Sequence, residues 1–400
     1  MTNRNSFILI CAVGFFAIFS STMSKNPVLP LFARRLGASA ADIGLIAAAS
    51  TVVGILVSLP GGALSDVWGR RAVILLAGLV FATAPFLYLL ISTPWQLAGV
   101  RVYHGIATAI FGPVALAFVA DLSRSRRGET MGWYSSATLA GRALAPVIGG
   151  FLLYRISYHS VYLGCAVAGI LALVIALRLP GAAAPTAPRA AHRFKDLPQG
   201  IKTVLRDRGI LVTSAAEATQ YFAFGAVETF LPLYALAVGL NPLQIGTIFG
   251  AQILTTTLTK PLMGRASDRY GRQPLIAAGL IVGAAAVLFI PWARSYLALL
   301  PIGVAFGLAL AVVTASTAAL VSELAQARAY GSALGVMSTI MDIGHASGPV
   351  VCGLLVAHSG YGTAFRAVAA LMAVGAVLVP VFVRPPAHHQ PAPPEGGIRP

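Results

Sequence analysis

The chain has 400 residues, of which 57% are apolar and only 10% charged, and its formal net charge is +16 at pH 7. Soluble domains carry far more charge, so this composition excludes a water-exposed surface over most of the molecule. Hydrocarbon must therefore surround most of the chain, and the segments in contact with it are expected to be helices of about 20 residues, which satisfy their own backbone groups.

Apolar runs of this length predict twelve membrane spans, numbered 1 to 12 in chain order. They cover residues 7–31, 42–65, 72–92, 95–120, 131–155, 159–179, 209–236, 243–265, 272–292, 295–322, 330–357 and 361–383. The predicted fold class is an all-α membrane protein.

The basic residues concentrate on one side of these spans. If both termini lie on the same side, the segments on that side hold most of the Lys and Arg, whereas the opposite loops hold few. Those few are Arg34, Arg35, Arg155 and Arg294. This asymmetry is the positive-inside pattern, and it predicts a multi-pass plasma (inner) membrane protein with both termini in the cytoplasm. The positive charge is thus explained without nucleic acid.

One short segment occurs twice, 202 residues apart. Residues 62–70 read Gly-Ala-Leu-Ser-Asp-Val-Trp-Gly-Arg, and residues 264–272 read Gly-Arg-Ala-Ser-Asp-Arg-Tyr-Gly-Arg. The shared positions are Gly62, Asp66, Gly69 and Arg70 in the first copy and Gly264, Asp268, Gly271 and Arg272 in the second. A segment repeated at a spacing of about 200 residues predicts two related halves, as in transporters that bind substrate between parallel repeats.

The repeat divides the chain into two six-helix bundles, at residues 1–179 and 209–383. Between them lies a cytoplasmic linker, 180–208, in which apolar residues recur at helical spacing among basic ones. This pattern predicts an amphipathic helix at the membrane surface, with a solvated loop as the alternative. The tail, 384–400, is rich in Pro and Gly and is expected to be disordered.

Glycines surround a proline in spans 5 and 11. The residues are Gly141, Pro146, Gly149 and Gly150 in span 5, and Gly344, Gly348 and Pro349 in span 11. Small residues allow helices to approach closely, and proline bends a helix.

Together these motifs resemble those of the major facilitator superfamily. The duplicated loop matches that family's signature loop, and the span 5 motif is similar to the signature of its proton-driven exporters. Two departures are Ala145, where that signature has Gly, and Cys352, where span 11 would have a Gly. The resemblance implies two pseudo-symmetric bundles that alternate access to a central site. It also implies that Asp66 and Asp268 latch the halves on the cytoplasmic side.

Polar side chains inside apolar spans are costly, and those at helical spacing on one face are expected to line a water-filled cavity. We predict a substrate cavity formed by Lys25, Asn26, Arg101, His104, Thr138, Arg142, Gln220, Tyr221, Phe224, Ser338 and His345. Glu228, Asp342 and Glu217 are the proton-coupling candidates, because removing a carboxylate from water favours its neutral form. The structural alternatives are that Glu228 only neutralises Lys25 and that Asp342 only holds His345.

The predicted function, implied by the resemblance, is proton-coupled efflux of small drug-like molecules, apolar or cationic, by antiport. The alternatives are a proton-linked transporter of a defined metabolite such as a sugar or organic ion, and a non-transporting membrane ligand sensor. Neither a catalytic constellation nor an ATP-binding loop is recognisable, so no enzyme is expected. The expected partners are a small-molecule substrate, protons and the lipid bilayer. We expect a monomer with no metal and no cofactor, and the proton gradient as energy source.

Overall fold

The structure is a computed structural model that describes residues 3–122, 127–181, 202, 204–325 and 330–383. Its long elements in these ranges are all helices. They are α1 Asn3–Lys25, α2 Val28–Arg35, α3 Ala40–Trp68, α4 Arg70–Leu89, α5 Pro94–Leu122, α6 Arg127–Arg155, α7 Tyr158–Leu177, α8 Arg208–Ala237, α9 Pro242–Tyr270, α10 Arg272–Phe289, α11 Tyr296–Leu324 and α12 Tyr330–Phe382. The predicted all-α fold class is confirmed. The predicted linker helix and tail lie almost entirely outside the described residues.

Each predicted span coincides with helical structure, but span 1 is not continuous as predicted. It breaks into α1 and α2 at Asn26 and Pro27, because proline has no backbone N–H to donate and restricts the residue before it. The element α12 is not one straight helix, because its backbone is not helical at Gly360, where φ is +76°. It therefore consists of two successive helices, which correspond to span 11 and span 12.

Within the described ranges, nine helical segments are long and apolar enough to cross a membrane, with α12 counted once. Helices α8 and α9 are as long as the others but are not among the nine. Both carry buried polar side chains, Glu217, Gln220 and Glu228 in α8 and Gln252 in α9. These polar side chains make the two helices less apolar than the other spans.

The duplication extends to local structure. Ser39 caps the start of α3 and Asn241 caps the start of α9, each in a reciprocal capping box with the residue three positions on. Gly69 and Gly271 end the same two helices with φ of +87° and +94°, which glycine adopts without strain. Residues 202 positions apart therefore hold equivalent places in the two halves, α1–α7 and α8–α12.

Two groups of glycine turns mark the opposite ends of the molecule, which we call the motif end and the far end. The motif end carries Gly69 and Gly271, and the far end carries the turns at Gly37 and Gly239. One apolar core lies within the N-terminal half. Another is continuous across both halves and includes residues near the far end, such as Leu231. The halves are therefore packed together towards the far end.

Candidate substrate cavity between the two halves

A cavity of about 500 Å³ lies between the halves, a volume that suits a drug-sized molecule. Its wall is built from α1, α3, α5 and α6 of the N-terminal half and α8, α9 and α12 of the C-terminal half. Nine of the predicted site residues lie on this wall, namely Lys25, Asn26, Arg101, Arg142, Tyr221, Phe224, Glu228, Asp342 and His345. Side chains from both repeats thus meet around one polar space.

Glu228 joins the two halves at this wall. Its Oε2 lies 2.6 Å from Lys25 Nζ and 3.3 Å from His345 Nε2, and its Oε1 accepts a hydrogen bond of 2.5 Å from Asn26 Nδ2. Glu228 is only 7% exposed, so these contacts form where water competes little. One carboxylate therefore connects the N-terminal half to both α8 and α12.

The break between α1 and α2 explains how this contact forms. Lys25 is the last residue of α1 and Asn26 follows it, just where the proline interrupts the helix. Asn26 and Glu228 are also repeat mates, 202 residues apart, so the hydrogen bond between them joins equivalent positions of the two halves. Equivalent residues can meet in this way only near the axis that relates the repeats.

Two arginines form the basic part of the N-terminal wall. Arg101 is 4% exposed, and its Nη2 donates to Ser50 Oγ at 2.5 Å while its Nη1 lies 3.5 Å from Tyr88 Oη. Arg142 is exposed to the cavity from α6. Both guanidinium groups face the polar space rather than lipid, as the cost of a charge in hydrocarbon requires.

The C-terminal wall combines one acid with aromatic rings. Asp342 lies one helical turn before His345 on α12 and receives no hydrogen bond from any residue that the structure describes. The rings of Tyr221 and Phe224 lie 6.0 and 5.5 Å from the His345 ring, centroid to centroid. Phe249 adds a third aromatic ring to the wall from α9.

The glycines of span 2 and span 8 explain how the far end closes. A Cβ at Gly44 would collide with the carbonyl oxygen of Pro349, and a Cβ at Gly246 with that of Pro146. The two glycines are repeat mates, so the same backbone contact is made twice between the halves, α3 against α12 and α9 against α6. The prolines of the span 5 and span 11 motifs thus lie at the interface between halves.

The glycines of these motifs face other helices. Gly141 and Gly149 approach α1, whereas Gly150 approaches Pro242 of α9. Gly344 and Gly348 lie against the backbone of α8. Each motif therefore packs its helix closely against the first helix of its own half, and the proline side of the motif turns to the opposite half.

The duplicated loop has the same contacts in both halves. Arg70 donates to Ser65 Oγ and Asp121, and Arg272 donates to Ser267 Oγ and Glu323, each partner being 202 residues from its mate. Asp268 pairs with Arg272 at 2.5 Å. The described contacts of Arg272 are therefore confined to its own half. The side chain of Asp66 and the surroundings of Gly62 lie outside what the structure describes.

Among the described residues, the ion pairs, hydrogen bonds and close glycine contacts that join the halves lie at the far end or beside the cavity, and none lies at the motif end. A Cβ added at Gly264 or Gly335 in the C-terminal half, or at Gly132 in the N-terminal half, would meet nothing within 4 Å. The close backbone contacts between halves are at the far end instead. The structure is therefore a conformation that is closed at the far end and open at the motif end.

Comparison with known proteins identifies the family. A model described as the Major Facilitator Superfamily matches residues 10–241 and 216–400, which together cover nearly the whole chain. The chain belongs to this superfamily. It is therefore a multi-pass integral membrane transporter by family, and the repeat found in the sequence is the repeat of the major facilitator fold.

Relatives and solved structures agree with this assignment. The chain is 24% identical over 354 residues to the quinolone resistance protein NorA of Staphylococcus aureus, covering 88% of this chain and 90% of NorA. It is 23% identical over 363 residues to an uncharacterized MFS-type transporter of Methanocaldococcus jannaschii, covering 90% and 92%. Its fold is similar to that of the nucleoside transporter NupG, with a TM-score of 0.81 at 14% identity over 94% of this chain and 99% of that one.

Four predicted cavity residues of this major facilitator protein lie elsewhere. His104 is 1% exposed, and its Nδ1 is 3.3 Å from Tyr88 Oη inside the N-terminal half. Thr138 donates to backbone carbonyls of its own helix, and Ser338 is exposed outside the cavity wall. Gln220 is fully buried within the C-terminal half. Helical spacing shows which residues share one face of a helix, but it does not show which neighbouring helix or cavity that face contacts.

Glu217 also departs from its predicted place. Its Oε2 accepts a hydrogen bond of 2.9 Å from Thr317 Oγ1 on α11, and it is not part of the cavity wall. Its face of α8 turns to a neighbouring helix of the same half at this level, so the carboxylate is held inside the C-terminal bundle. Of the three proton-coupling candidates, Glu228 and Asp342 are the two that face the cavity.

Several cavity residues were not predicted. Ser50, Gly54 and Ser58 form a stripe along α3, and Thr108 and Gln252 face the cavity from α5 and α9. The spacing of four residues between Ser50, Gly54 and Ser58 was visible in the sequence. Small residues at this spacing are also typical of helix–helix contacts, so the pattern alone did not predict that this stripe lines the cavity.

The described part of the chain holds no group of three or more His, Cys, Asp or Glu side chains that could bind a metal ion.

Proposed function

We propose that this protein is a proton-coupled antiporter that exports small drug-like molecules by alternating access. The observation that carries the proposal is the Glu228 carboxylate, which contacts Lys25 of one half and His345 of the other within the cavity. A proton that binds to Glu228 Oε2 removes the charge that attracts Lys25. Protonation of this oxygen and the ion pair between the halves are therefore mutually exclusive.

This competition provides a coupling mechanism. In the conformation open at the motif end, the ion pair helps to hold the far end closed. Substrate that enters from the motif end and fills the cavity weakens this link, so the equilibrium shifts towards a state in which the far end opens and the motif end closes. There the substrate leaves and a proton from the far side binds to Glu228. When the cycle returns to the present conformation, Lys25 pairs with Glu228 again and the proton is released at the motif end. Asp342, which has no hydrogen-bond partner in the described structure, is the second acid at which a proton and a substrate can compete.

The placement of basic residues supports an orientation. Residues 70–71 and 269–272 bring several arginines to the motif end, and positive residues favour the cytoplasmic side. The motif end is therefore cytoplasmic in this proposal, as are both termini, and the structure corresponds to an inward-open state. The Arg272–Asp268 pair lies at the entrance and is available to contact the other half when that entrance closes.

The similarity to NorA supports a drug-like substrate, since that relative is named for quinolone resistance. The alternative is a proton-linked carrier of one metabolite, and the nucleoside transporter NupG shares the fold. A proton-coupled carrier of either kind needs no cofactor, since the proton gradient is its energy source.

The experiment is transport in proteoliposomes of the purified protein, with and without an imposed pH gradient. A panel of aromatic dyes, quinolones, nucleosides and sugars is supplied, and a pH-sensitive dye reports proton movement. The proposal predicts gradient-driven accumulation of several drug-like compounds, each coupled to opposite proton flux. Accumulation of a single nucleoside or sugar would favour the metabolite carrier, and binding without any flux would favour the sensor.

A further inference from the structure

The charges on the cavity wall do not balance locally. Three basic side chains, Lys25, Arg101 and Arg142, and two acidic ones, Glu228 and Asp342, line the cavity, with His345 beside them. Lys25 and Glu228 form an ion pair at 2.6 Å and neutralise each other. Two arginines on the N-terminal wall and one aspartate on the C-terminal wall are left to interact with whatever fills the space.

Neither arginine has an acidic partner among the residues that the structure describes. Arg101 bonds only to the neutral hydroxyls of Ser50 and Tyr88, and its Nε is buried without a hydrogen bond. Arg142 projects from α6 to the cavity with no ion pair. A guanidinium group binds a carboxylate in two parallel hydrogen bonds, since its planar fork matches the two oxygens.

The opposite wall has the complementary character. Asp342 faces the cavity and has no hydrogen-bond donor among the described residues, whereas Arg142 faces the same cavity from the N-terminal half. The two halves therefore present opposite charges to one space. The rings of Tyr221 and Phe224 provide flat apolar surface on the same cavity wall, and flat aromatic surfaces stack on one another favourably.

We propose that the substrates of this protein are aromatic zwitterions, with an acidic group bound by Arg101 and Arg142 and a basic group bound by Asp342. The inference rests on the proposed function in taking this cavity as the substrate site. It narrows the substrate class and changes the expectation from sequence, which favoured apolar or cationic compounds. A cation alone would face two arginines without a partner for them, whereas a zwitterion satisfies both walls.

Four probes that share one ring system test the charge preference. They are 2-naphthoic acid, 2-naphthylmethylamine, 3-(2-naphthyl)alanine and neutral 2-naphthamide, and binding to the purified protein is measured calorimetrically without any gradient. We expect naphthylalanine to bind most tightly, naphthoic acid next and the amine most weakly. Because no gradient is applied, the result is independent of whether transport is coupled to protons.

Variants locate the groups responsible. Arg142→Gln is expected to weaken naphthoic acid and naphthylalanine at least tenfold while leaving naphthamide unchanged. Arg142→Lys keeps the charge and should keep the order of the probes. Asp342→Asn should remove the advantage of naphthylalanine over naphthoic acid. Arg155→Gln, at the far end of α6 and outside the cavity wall, is the matched control and should behave as wild type.

The neutral probe also reports folding, since a variant that misfolds loses naphthamide binding as well. If Arg142→Gln misfolds, the test rests on Arg142→Lys, which keeps the positive charge and should keep the order of the probes. The proposal is overturned if the amine binds as tightly as the acid, if none of the charged probes binds, or if the arginine and aspartate variants leave the order of the probes unchanged. Failure of proton-driven transport in proteoliposomes, with this order of probes intact, would overturn the proposed coupling but not the substrate class.

Discussion

Replacement of Gly246 by alanine should disfavour the conformation seen here. The added methyl group would fall on the carbonyl oxygen of Pro146 and would also lie 3.0 Å from its carbonyl carbon and 3.3 Å from Gly150 Cα. These are backbone atoms of a packed helix, so they cannot move aside as a flexible side chain could. Overpacking of this kind costs about 1–3 kcal/mol.

The cost applies to one conformation only. If the far end opens, α6 and α9 separate there and the methyl group has room. A difference of about 1–3 kcal/mol changes the ratio of two conformations about 5- to 150-fold. Gly246→Ala should therefore convert a protein that is mainly open at the motif end into one that is mainly closed there, and the motif end is expected to narrow.

Spin labels report this change. Trp133 at the start of α6 and Tyr270 at the end of α9 are exposed, and they flank the motif end from opposite halves. The distance distribution between labels at these positions should shift to shorter values in Gly246→Ala. Gly99→Ala is the control, because a Cβ there meets nothing within 4 Å. A wild-type distribution in Gly246→Ala would show that backbone contact does not hold the far end closed.

Three further changes test separate contacts. Asp268→Asn removes one of the two acidic partners of Arg272 and should slow transport while ligand affinity stays within twofold, since we propose that the loop acts in gating. Equal losses in calorimetric affinity and flux would contradict this. Glu217→Gln should retain proton-driven accumulation of substrate, because Glu217 bonds to Thr317 away from the cavity. If accumulation is lost while substrate binding stays normal, Glu217 takes part in proton coupling. Lys25→Gln leaves a buried acid without its ion pair, at a free-energy cost of about 2–5 kcal/mol to this conformation. It should therefore shorten the spin-label distance at the motif end. An unchanged distance would show that the ion pair does not hold the halves together.

The sequence was sufficient for the fold because its signals were physical necessities. A chain with 10% charged residues has to form apolar helices, and a repeat at an offset of 202 has to form two related halves. Arg101 and Arg142 could be placed at the cavity because a charge inside an apolar span has few other places to go. The break at Asn26 and Pro27 was missed, since an apolar run continues through it.

The detailed site was harder to predict for an equally physical reason. Helical spacing groups Glu217, Gln220 and Glu228 on one broad face, but only the packing of α8 decides which part of that face meets the cavity. Ser50 and Gln252 are uncharged, so nothing in their residue type separates a cavity wall from ordinary helix packing. The contact between Asn26 and Glu228 follows from the axis between the repeats, which the sequence indicates but does not locate.

Proton-driven transport by Glu228→Gln is the most direct measurement of the central claim, that this carboxylate couples proton binding to the movement of the two halves. Glutamine keeps the size of the side chain and can still accept the hydrogen bond from Asn26, but it cannot exchange a proton or form the ion pair with Lys25. In proteoliposomes the variant should lose accumulation against a gradient while downhill exchange of substrate continues. Asp42→Asn, in the capping box of α3, should accumulate substrate as wild type does. If Glu228→Gln also concentrates substrate to the wild-type level under the same pH gradient, Glu228 is a structural link and the coupling mechanism is wrong.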